Sequence, residues 1–478
     1  MSGLIEIRRP RRRPARVRPF HLTIIHPCVG RREGSRAYMN TWKMEPIPAA
    51  LISALTPADV ERTFYDDRIE AIDYDRRTDL VAISVETYTA KRAYQIASEF
   101  RARGVPVVMG GYHATLCPDE VSEYADSVVV GEAETLFAEL IDDYRYGTPR
   151  RVYRSEGGRP DPSVVTPDRG LFTGKGYLPI RLIEFGRGCK YRCEFCAVTS
   201  FHDGTQTHRR VEHVVRELQR VKRPGQLVFF IDDNITSDLE AAKELMRALI
   251  PLKVRWVSQA SIEVAFDDEA LSLMKRSGCQ GVLVGFESLH KATLKKMKKG
   301  FNANHGGPPA ALARFRKYGL RIYGTFVFGY DHDTEETFEE TLRFAQDQGL
   351  FISAFNHITP FPGTPLYKRL GKEGRLLMDP WWLDDEYRYG MVPFTPRSMS
   401  PERLAARCID ARKRFYGWSS IRRRLGHWVN LRDPLMAFYF VVINAMHQVD
   451  VKGRHGLPLG DQNHHVPILR VGHETRAA

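Results

Sequence analysis

The sequence predicts an α/β protein with two successive parallel sheets and a helical C-terminal region. Short apolar runs alternate with helical segments from Phe20 to residue 145, and the same alternation resumes at Tyr177. Continuously apolar strands separated by helices indicate parallel sheets that are covered on both faces. The stretch between them, 151–175, is rich in Pro, Gly and Asp, which is typical of a linker.

The N-terminal sheet is predicted to contain five strands, and glycines follow two of them. The strands are expected at His21–Ile25, Val60–Tyr65, Leu80–Val85, Val105–Met109 and Asp126–Val130. Helices are expected at Ile47–Leu55, Thr89–Arg103 and Ala133–Tyr144. Glycine at the end of a strand lets the backbone approach a ligand at the carboxyl edge, where parallel sheets bind their cofactors.

The second sheet is predicted to contain six strands, most of them followed by polar residues. They are expected at Ile180–Phe185, Gln226–Ile231, Val254–Gln259, Gly281–Phe286, Arg321–Phe328 and Ile352–Ile358. Helices are expected at Val211–Val221 and Pro401–Tyr416, and two more between Ser419 and Ala445. Polar side chains at the carboxyl ends of such strands are typical of an active site.

Composition limits the partners. The formal charge of the 478-residue chain is +13, but seven arginines lie between Arg8 and Arg18. This segment is predicted to be a basic disordered tail, either a solvated leader or a contact for nucleic acid or anionic lipid. No basic stripe interleaved with aromatic residues occurs elsewhere, so we expect no nucleic-acid partner.

The apolar segments do not predict a transmembrane protein. The stretch Leu435–Ala445 is too short to span a bilayer. The helices around it carry arginines on one face and aromatic residues on the other, which fits either packing against the barrel or peripheral membrane contact. The first residues lack the apolar core of a signal peptide, and the cysteine pattern fits a reducing compartment, so a cytoplasmic location is expected.

Three of the seven cysteines, Cys189, Cys193 and Cys196, fall within eight residues in a loop that follows a predicted strand. Thiolates in a short loop select zinc, copper(I) or an iron–sulfur cluster. A structural zinc site or an ordinary cubane needs four protein ligands, and no fourth cysteine lies nearby. Three ligands leave one iron of a cubane open to a substrate. The other cysteines are expected to be ordinary thiols: Cys28, Cys117, Cys279 and Cys408.

The spacing C-x3-C-x2-C, with Phe195 before the last cysteine, resembles the motif of the radical S-adenosylmethionine (radical SAM) superfamily. In that family three cysteines hold a [4Fe–4S] cluster whose open iron binds SAM. The reduced cluster cleaves SAM to methionine and a 5′-deoxyadenosyl radical. The resemblance implies a (β/α)6 partial TIM barrel, a [4Fe–4S] cluster, SAM, and an electron donor such as flavodoxin or ferredoxin. A zinc knuckle lacking one ligand and three incidental thiols are the alternatives.

The resemblance also implies which strand ends bind SAM. Acidic or amide side chains would accept hydrogen bonds from its ammonium group, polar side chains would contact its ribose, and apolar groups would cover its adenine. The residues at the matching positions are Asp232, Asp233 and Asn234, then Ser258, Glu287 and Ser288, then Phe195, Gly324 and Phe328. For each acid the alternative is a helix N-cap, which is the role we assign to Asp238.

Residues 20–145 resemble the Rossmann-like (flavodoxin-like) cobalamin-binding domain that precedes many radical SAM cores. The cofactor loops of that family correspond to Ser84, Glu86, Thr87, Gly110, Gly111, His113, Gly131 and Glu132. The D-x-H-x-x-G signature is absent, and Tyr65–Glu70, which includes Asp67, stands in its place. Cobalamin-dependent radical SAM enzymes commonly lack that histidine, whereas some relatives keep the fold without binding cobalamin. Trp42–Pro46 resembles a loop that closes over the other domain.

These expectations divide the chain into six parts. They are a basic tail at 1–19, a B12-binding-like domain at 20–145, a linker at 146–176, a radical SAM barrel at 177–365, a helical capping region at 366–448 and a polar tail at 449–478. Several acids and aromatic residues of the capping region, among them Trp381, Trp382 and Tyr387, are candidates for substrate contact. The histidines after Val449 are expected to be solvated.

The resemblance supports one principal function and leaves two others open. The first is a cobalamin-dependent methylase that acts on an unactivated carbon of a small metabolite, sugar or lipid. The second is a cobalamin-independent radical SAM dehydratase, rearrangement or C–C bond enzyme with a vestigial B12-binding domain. The third is a non-catalytic cobalamin or redox sensor, against which the intact cysteine triad argues.

Overall fold

The structure is a computed structural model that describes residues 18–35, 42–155, 158–223 and 225–472. Most of the predicted basic tail, including Arg8 to Arg16, lies outside these residues. Each of the two main sheets in the described part has six strands. The N-terminal sheet has the order β2-β1-β3-β4-β5-β6 and is parallel throughout. Its strands are β1 Phe20–His26, β2 Val60–Asp66, β3 Leu80–Ser84, β4 Val107–Gly110, β5 Ser127–Val130 and β6 Val152–Arg154.

The strand β6 corrects the predicted linker. Residues 146–176 were expected to be irregular, but Val152–Arg154 pairs with β5 and extends the sheet. Tyr153 is fully buried between two exposed neighbours. Because a three-residue strand is too short to show a clear alternation, the sequence did not predict it.

The second sheet is a partial barrel whose strands pair in chain order, and every pair is parallel. The strands are β7 Ile180–Ile183, β8 Leu227–Phe230, β9 Arg255–Ala260, β10 Cys279–Glu287, β11 Arg321–Phe328 and β12 Ile352–His357. Buried and partly buried residues alternate along β11 and β9. One set therefore packs against the surrounding helices and the other faces the barrel interior.

The helices connect and cover these sheets. In the first domain they are α1 Ile47–Leu55, α2 Ala90–Ala102, α3 Tyr112–Leu116, α4 Pro118–Ser122 and α5 Phe137–Tyr146. Around the barrel they are α6 Ala197–His202, α7 Val211–Val221, α8 Leu239–Leu249, α9 Asp268–Arg276, α10 Lys291–Lys296, α11 Gly307–Tyr318, α12 Glu335–Asp347 and α13 Pro365–Lys372. In the C-terminal region they are α14 Pro401–Phe415, α15 Trp418–Leu425, α16 Trp428–Leu431 and α17 Pro434–Arg454. None of the described helices has both the length and the apolar composition needed to cross a membrane.

The capping region packs on the first domain. Trp381, Trp382 and Tyr387 are at most 3% exposed and belong to the same apolar core as α2 and one face of the N-terminal sheet. The Nε1 of Trp382 donates to both carboxylate oxygens of Glu120 at 3.0 Å. These three side chains therefore hold the two regions together.

The predicted polar tail is also part of the fold. Gly460–Asp461 pairs with Gly30–Arg31 of the first domain, and Asp461 forms an ion pair with Arg31 at 2.9 Å. The side chain of His464 is 7% exposed and lies 3.4 Å from Glu99. The expectation of solvated histidines was therefore wrong for His464, whereas His455 and His465 are exposed as expected and His473 lies outside the described residues. Contacts between distant parts of the chain order part of a segment whose composition is polar.

Candidate active site

The cysteine loop begins directly after β7. Gly186–Gly188 pairs with Gln206–His208 in a short antiparallel ribbon, and the loop then runs to Cys196, which is the N-cap residue of α6. Cys189, Cys193 and Cys196 are free thiols, and Cys193 is buried while the other two are half-buried. All three lie at the carboxyl end of the barrel, as the sequence predicted.

Acidic side chains from the end of β8 hold this loop through its backbone. The two carboxylate oxygens of Asp232 accept hydrogen bonds from the amides of Phe185 and Gly186, and Asp233 accepts from the Gly188 amide at 2.7 Å. The Asn234 side-chain amide donates to the Cys189 sulfur at 3.5 Å. Asp232 is fully buried. These three side chains therefore position the cysteine loop, and the contact between Asp232 and SAM stays a prediction.

Burial and a nearby cation set the electrostatics of the thiols. Burial raises the pKa of Cys193 to about 12, and the positive charge of Lys299 partly opposes this shift. Lys299 forms an ion pair with Glu287 at 2.7 Å, and Glu287 has a positive φ of 62°, a backbone conformation that is uncommon outside glycine. Metal ligation requires thiolates. Iron ions bound in this loop would therefore displace the protons of the three thiols.

The loop fits an iron–sulfur cluster. Among the described residues, the three sulfur atoms do not lie within 4.8 Å of one another, so they are too widely spread to converge on one small ion. Sulfurs that ligate separate irons of one cubane do not need to converge. The donor set of three thiols therefore suits a [4Fe–4S] cluster with one open iron.

A cavity of about 310 Å³ lies at the carboxyl edge of the N-terminal sheet. It continues into an apolar slot between that sheet and α1, where Ala49, Ile52 and Val108 line it. Close-packed domain cores leave few voids of this size. Glycines and small residues at the edge with an apolar slot behind it fit a bulky cofactor such as cobalamin.

Seven of the predicted cofactor residues line this cavity. They are Ser84, Glu86, Gly110, Gly111, Gly131, Glu132 and Asp233. The protein around Glu86 desolvates its carboxyl group and raises the pKa. Glu132 pairs with Arg159 at 3.0 Å and with Arg187 at 3.3 Å, so it connects the first domain to the cysteine loop.

Four predicted residues of the first domain and of β9 instead bond within the protein. Asp67 pairs with Arg31 at 2.7 Å and with Arg92 at 2.9 Å, although it also borders a neighbouring cavity. The buried His113 bonds to Thr87 and Glu120. The hydroxyl of Ser258 donates to a strand carbonyl at 2.8 Å. The expectation that His113 reaches a cofactor tail is corrected, because α3 turns its ring into the domain core.

The side chains of His113, Cys117 and Glu120 come close enough together to ligate a metal ion. However, Glu120 already accepts hydrogen bonds from Tyr94 at 2.7 Å and from Trp382. The cluster is therefore a satisfied hydrogen-bond network between the first domain and the capping region.

The predicted adenine contacts of β11 are also corrected. A Cβ atom on Gly324 would lie 2.7 Å from a methyl group of Leu350, and Phe328 stacks on Phe338 of α12 at 4.1 Å. Both residues face the outer helices, whereas Tyr323 and Val327 line a cavity inside the barrel. Ser288 is buried and its hydroxyl accepts from the His290 amide. Phe195 lines the barrel cavity, and its contact with the adenine of SAM stays a prediction.

Three adjoining cavities connect the two domains. A cavity of about 730 Å³ lies between them, and it shares the walls Ser84 and Glu86 with the slot of the first domain. It shares Tyr389 and Asp450 with the cavity of about 430 Å³ inside the barrel. The loop that was expected to close over the other domain contributes Met44 to Pro46 to this wall.

Sequence reasoning missed several residues of these walls. Tyr112 and His202 line the first cavity, and their polar atoms lie 3.4 Å apart. Burial and nearby arginine charge lower the pKa of His202 to about 3, so it is neutral. His447 of α17 lines the barrel cavity and stacks on Tyr416 at 4.8 Å. Tyr112 belongs to the Gly110–His113 loop that was predicted to contact the cofactor, whereas no local pattern indicated His202 or His447.

Comparisons with known proteins identify the family. The radical SAM superfamily profile matches residues 183–345, and the B12 binding domain profile matches residues 47–141. Bacteriochlorophyllide d C-12(1)-methyltransferase of Chlorobaculum tepidum is 30% identical over 390 residues, which are 80% of this chain and 84% of that protein. The chain belongs to the radical SAM superfamily. It is a radical SAM enzyme with an N-terminal B12-binding domain.

Two further comparisons agree with this assignment. The hopanoid C-2 methylase of Rhodopseudomonas palustris is 27% identical over 353 residues, which are 70% of this chain and 66% of that protein. The structure of the radical SAM methyltransferase TsrM from Kitasatospora setae aligns with a TM-score of 0.58 and 18% identity, covering 74% of this chain and 75% of that one. The structural likeness confirms the predicted fold.

The cofactors of this radical SAM enzyme follow from the family and from the fit of its sites. They are a [4Fe–4S] cluster, SAM and cobalamin. Cys189, Cys193 and Cys196 would hold the cluster, and the slot beneath Gly110 and Gly111 would hold cobalamin.

Proposed function

We propose that this radical SAM enzyme is a cobalamin-dependent methylase that adds a methyl group to an unactivated carbon of a small, largely apolar molecule. The observation that carries the proposal is the connection between the cavities. Ser84 and Glu86 border both the cobalamin slot and the cavity between the domains. Asp233, which holds the cysteine loop, borders the slot as well.

The cofactors supply a 5′-deoxyadenosyl radical and a transferable methyl group when they are bound. The residues of the chain supply positions. Asp232 and Asp233 fix the backbone of the cysteine loop, and the Glu132–Arg187 pair ties that loop to the edge of the cobalamin slot. These contacts support a proposal in which both cofactor sites border one connected space.

The substrate is proposed to occupy the space from the domain interface to the barrel interior. The barrel cavity combines aromatic walls, among them Tyr88, Phe195, Tyr323, Phe361 and Tyr389, with polar and charged side chains such as Arg412, Asp450 and His447. Such walls suit a substrate that has an apolar body and a few polar groups. Two relatives of this chain are named for the methylation of bacteriochlorophyllide d and of hopanoids. A reduced flavodoxin or ferredoxin is the proposed electron donor, and the cytosol is the proposed compartment.

A second candidate is radical chemistry without methyl transfer. The anaerobic magnesium-protoporphyrin IX monomethyl ester cyclase of Cereibacter sphaeroides is 25% identical over 370 residues. The domain organisation alone does not separate a cyclase from a methylase. The products do, because only a methylase transfers the methyl group of SAM to its substrate.

The test combines metal content with isotope transfer. The protein would be reconstituted anaerobically with iron and sulfide, purified with hydroxocobalamin and desalted. We expect four irons and one cobalt per chain, and deuterium from methyl-labelled SAM in an apolar product after incubation with host cell extract. Cys193→Ser should lose iron and SAM cleavage, whereas Cys279→Ser, a buried thiol outside the loop, should keep both. Products that contain no deuterium although SAM is cleaved rapidly would favour a cyclase over a methylase.

A further inference from the structure

The outer face of α17 is apolar along most of its length. Leu435, Phe438, Val442, Ala445 and Val449 fall within about 80° of one another at 3.6 residues per turn. Phe438 is 61% exposed and Val449 67% exposed. The stripe is about 21 Å long, from the rise of a helix. An exposed apolar face of this kind usually marks an interaction surface.

The opposite face of α17 packs against the protein. Met436, Phe440 and Asn444 are at most 5% exposed, and the Asn444 amide donates to the Phe351 carbonyl at 3.1 Å. The helix is thus anchored on one side while its other side faces outward in the described part of the chain. Packing against the protein explains why the inner face of α17 is apolar, but it does not explain why the outer face is apolar.

The neighbouring helix α16 extends the apolar surface. Trp428 is 54% exposed and Leu431 is 49% exposed. The Arg432 guanidinium lies 5.8 Å from the Trp428 ring centre. Tryptophan with arginine at the edge of an apolar surface is typical of the boundary between a membrane and water.

The exposed charge around this surface is positive. From Ala411 to Val449 the chain has seven Lys and Arg residues and one acid, Asp433. Of the seven, Arg424 is fully buried, Arg412 lines the barrel cavity and Arg414 pairs with Glu339. Arg422, Arg423 and Arg432 are exposed, although Arg423 pairs with Asp347 at 2.5 Å. Two copies of such a surface would repel each other, whereas an anionic lipid surface would attract it.

We propose that α16 and the outer face of α17 dock this enzyme on an anionic lipid bilayer. The apolar stripe enters the acyl boundary and the arginines contact the headgroups. The side chains of His447 and Asp450, on the same helix, line the barrel cavity. Docking therefore places the substrate space next to the bilayer, from which an apolar substrate can enter. This last step rests on the proposed function, while docking itself does not.

The test is flotation of the reconstituted full chain with vesicles. We expect at least tenfold more protein to float with equal parts phosphatidylcholine and phosphatidylglycerol than with phosphatidylcholine alone. The double variant Leu431→Glu, Phe438→Glu should lose at least tenfold in binding. Arg422→Gln should lose about fivefold, and only with anionic vesicles. The control Val164→Glu, Leu377→Glu changes two side chains that are 67% and 50% exposed elsewhere and should bind as the wild type.

Two results would overturn the proposal. One is equal flotation of the wild type and the Leu431→Glu, Phe438→Glu variant. The other is a wild-type dimer in light scattering that this variant converts to a monomer while neither floats, which would make the surface a contact between copies of the chain. SAM cleavage and cobalt content are measured on the same samples. A failure of the proposed function would change those values in the wild type, whereas a failure of docking would leave them intact.

Discussion

The carboxyl edges of the two sheets differ. At the edge of the barrel, acidic side chains accept hydrogen bonds from backbone amides of the protein. At the edge of the N-terminal sheet, small residues border a cavity. Asp232 and Asp233 accept amides of the cysteine loop, and Asp333 accepts the amides of Gly329 and Tyr330. In the first domain, Gly110, Gly111 and Ser84 line the slot.

The difference follows from what each edge must hold. All three cysteine ligands come from one short loop, so the cluster needs the backbone of that loop to be ordered. Carboxylates provide that order by accepting buried amides that would otherwise have no partner. Cobalamin is large and needs volume, which glycine and alanine provide by leaving it unoccupied. The carboxyl edge therefore orders the cysteine loop in the barrel and leaves room for a cofactor in the N-terminal sheet.

The largest expected effect is that of Asp232→Ala on iron content. The variant leaves the Phe185 and Gly186 amides without an acceptor in a buried site, at a cost of about 3 kcal/mol. We expect iron per chain after reconstitution to fall about tenfold or more, since 1.4 kcal/mol corresponds to a factor of ten. Iron analysis and the ultraviolet–visible spectrum measure it.

The matched control is Asp238→Ala. Asp238 lies six residues further along and caps α8 by accepting the Ala241 amide at 3.1 Å. Its loss should cost about 1 kcal/mol of folding free energy and leave iron content unchanged. Equal iron content in the Asp232 and Asp238 variants would show that the barrel-edge acids do not organise the cluster loop.

A smaller effect tests the other edge. Ala49 lines the cobalamin slot and is 3% exposed, so Ala49→Leu should fill part of the volume that the cofactor needs. We expect cobalt retained after desalting to fall about fivefold, a loss of about 1 kcal/mol in binding, with iron unchanged. Ala54→Leu adds the same atoms to the exposed side of α1 and should retain cobalt. If both variants kept cobalt, the slot would not be the cobalamin site.

Much of this arrangement could be predicted from the sequence. Helices α1 and α7 and strand β11 have the predicted bounds, because each has a clear period and clear end signals. The cysteine loop and the glycine edge were predicted because their chemistry depends on local residues. The face of β11 was not, since strands buried on both sides show no alternation that separates Phe328 from Val327.

Contacts between distant segments were beyond the sequence for a different reason. Arg31 and Asp461 are 430 residues apart and pair in the structure, and neither position has a local pattern that indicates a partner. The buried role of His113 depends in the same way on Trp382, with which its ring packs at 5.4 Å. The sequence therefore could not distinguish residues that bond to distant parts of the protein from residues that border a cavity.

The smallest expected effect concerns stability and pH. Burial raises the pKa of Asp333 to about 6, above its value in the unfolded chain. The folded state then binds the proton more tightly, so the free energy of unfolding should fall as pH rises from about 4 to about 6, by about 3 kcal/mol in total. Both amides that Asp333 accepts bind the same oxygen, so Asp333→Asn keeps these bonds and removes the charge.

We therefore expect Asp333→Asn to flatten this decline and to gain thermal stability relative to the wild type at neutral pH. Iron content should not change, because the amides that Asp333 accepts belong to Gly329 and Tyr330 and not to the cysteine loop. Asp238 gives the opposite sign, since its hydrogen bond to the Ala241 amide lowers its pKa. Its stabilisation is present above the unfolded pKa and is lost in acid, so Asp238→Asn should be relatively less stable at neutral pH. Parallel pH profiles for the wild type and Asp333→Asn would mean that burial does not destabilise the charged form of the Asp333 carboxylate.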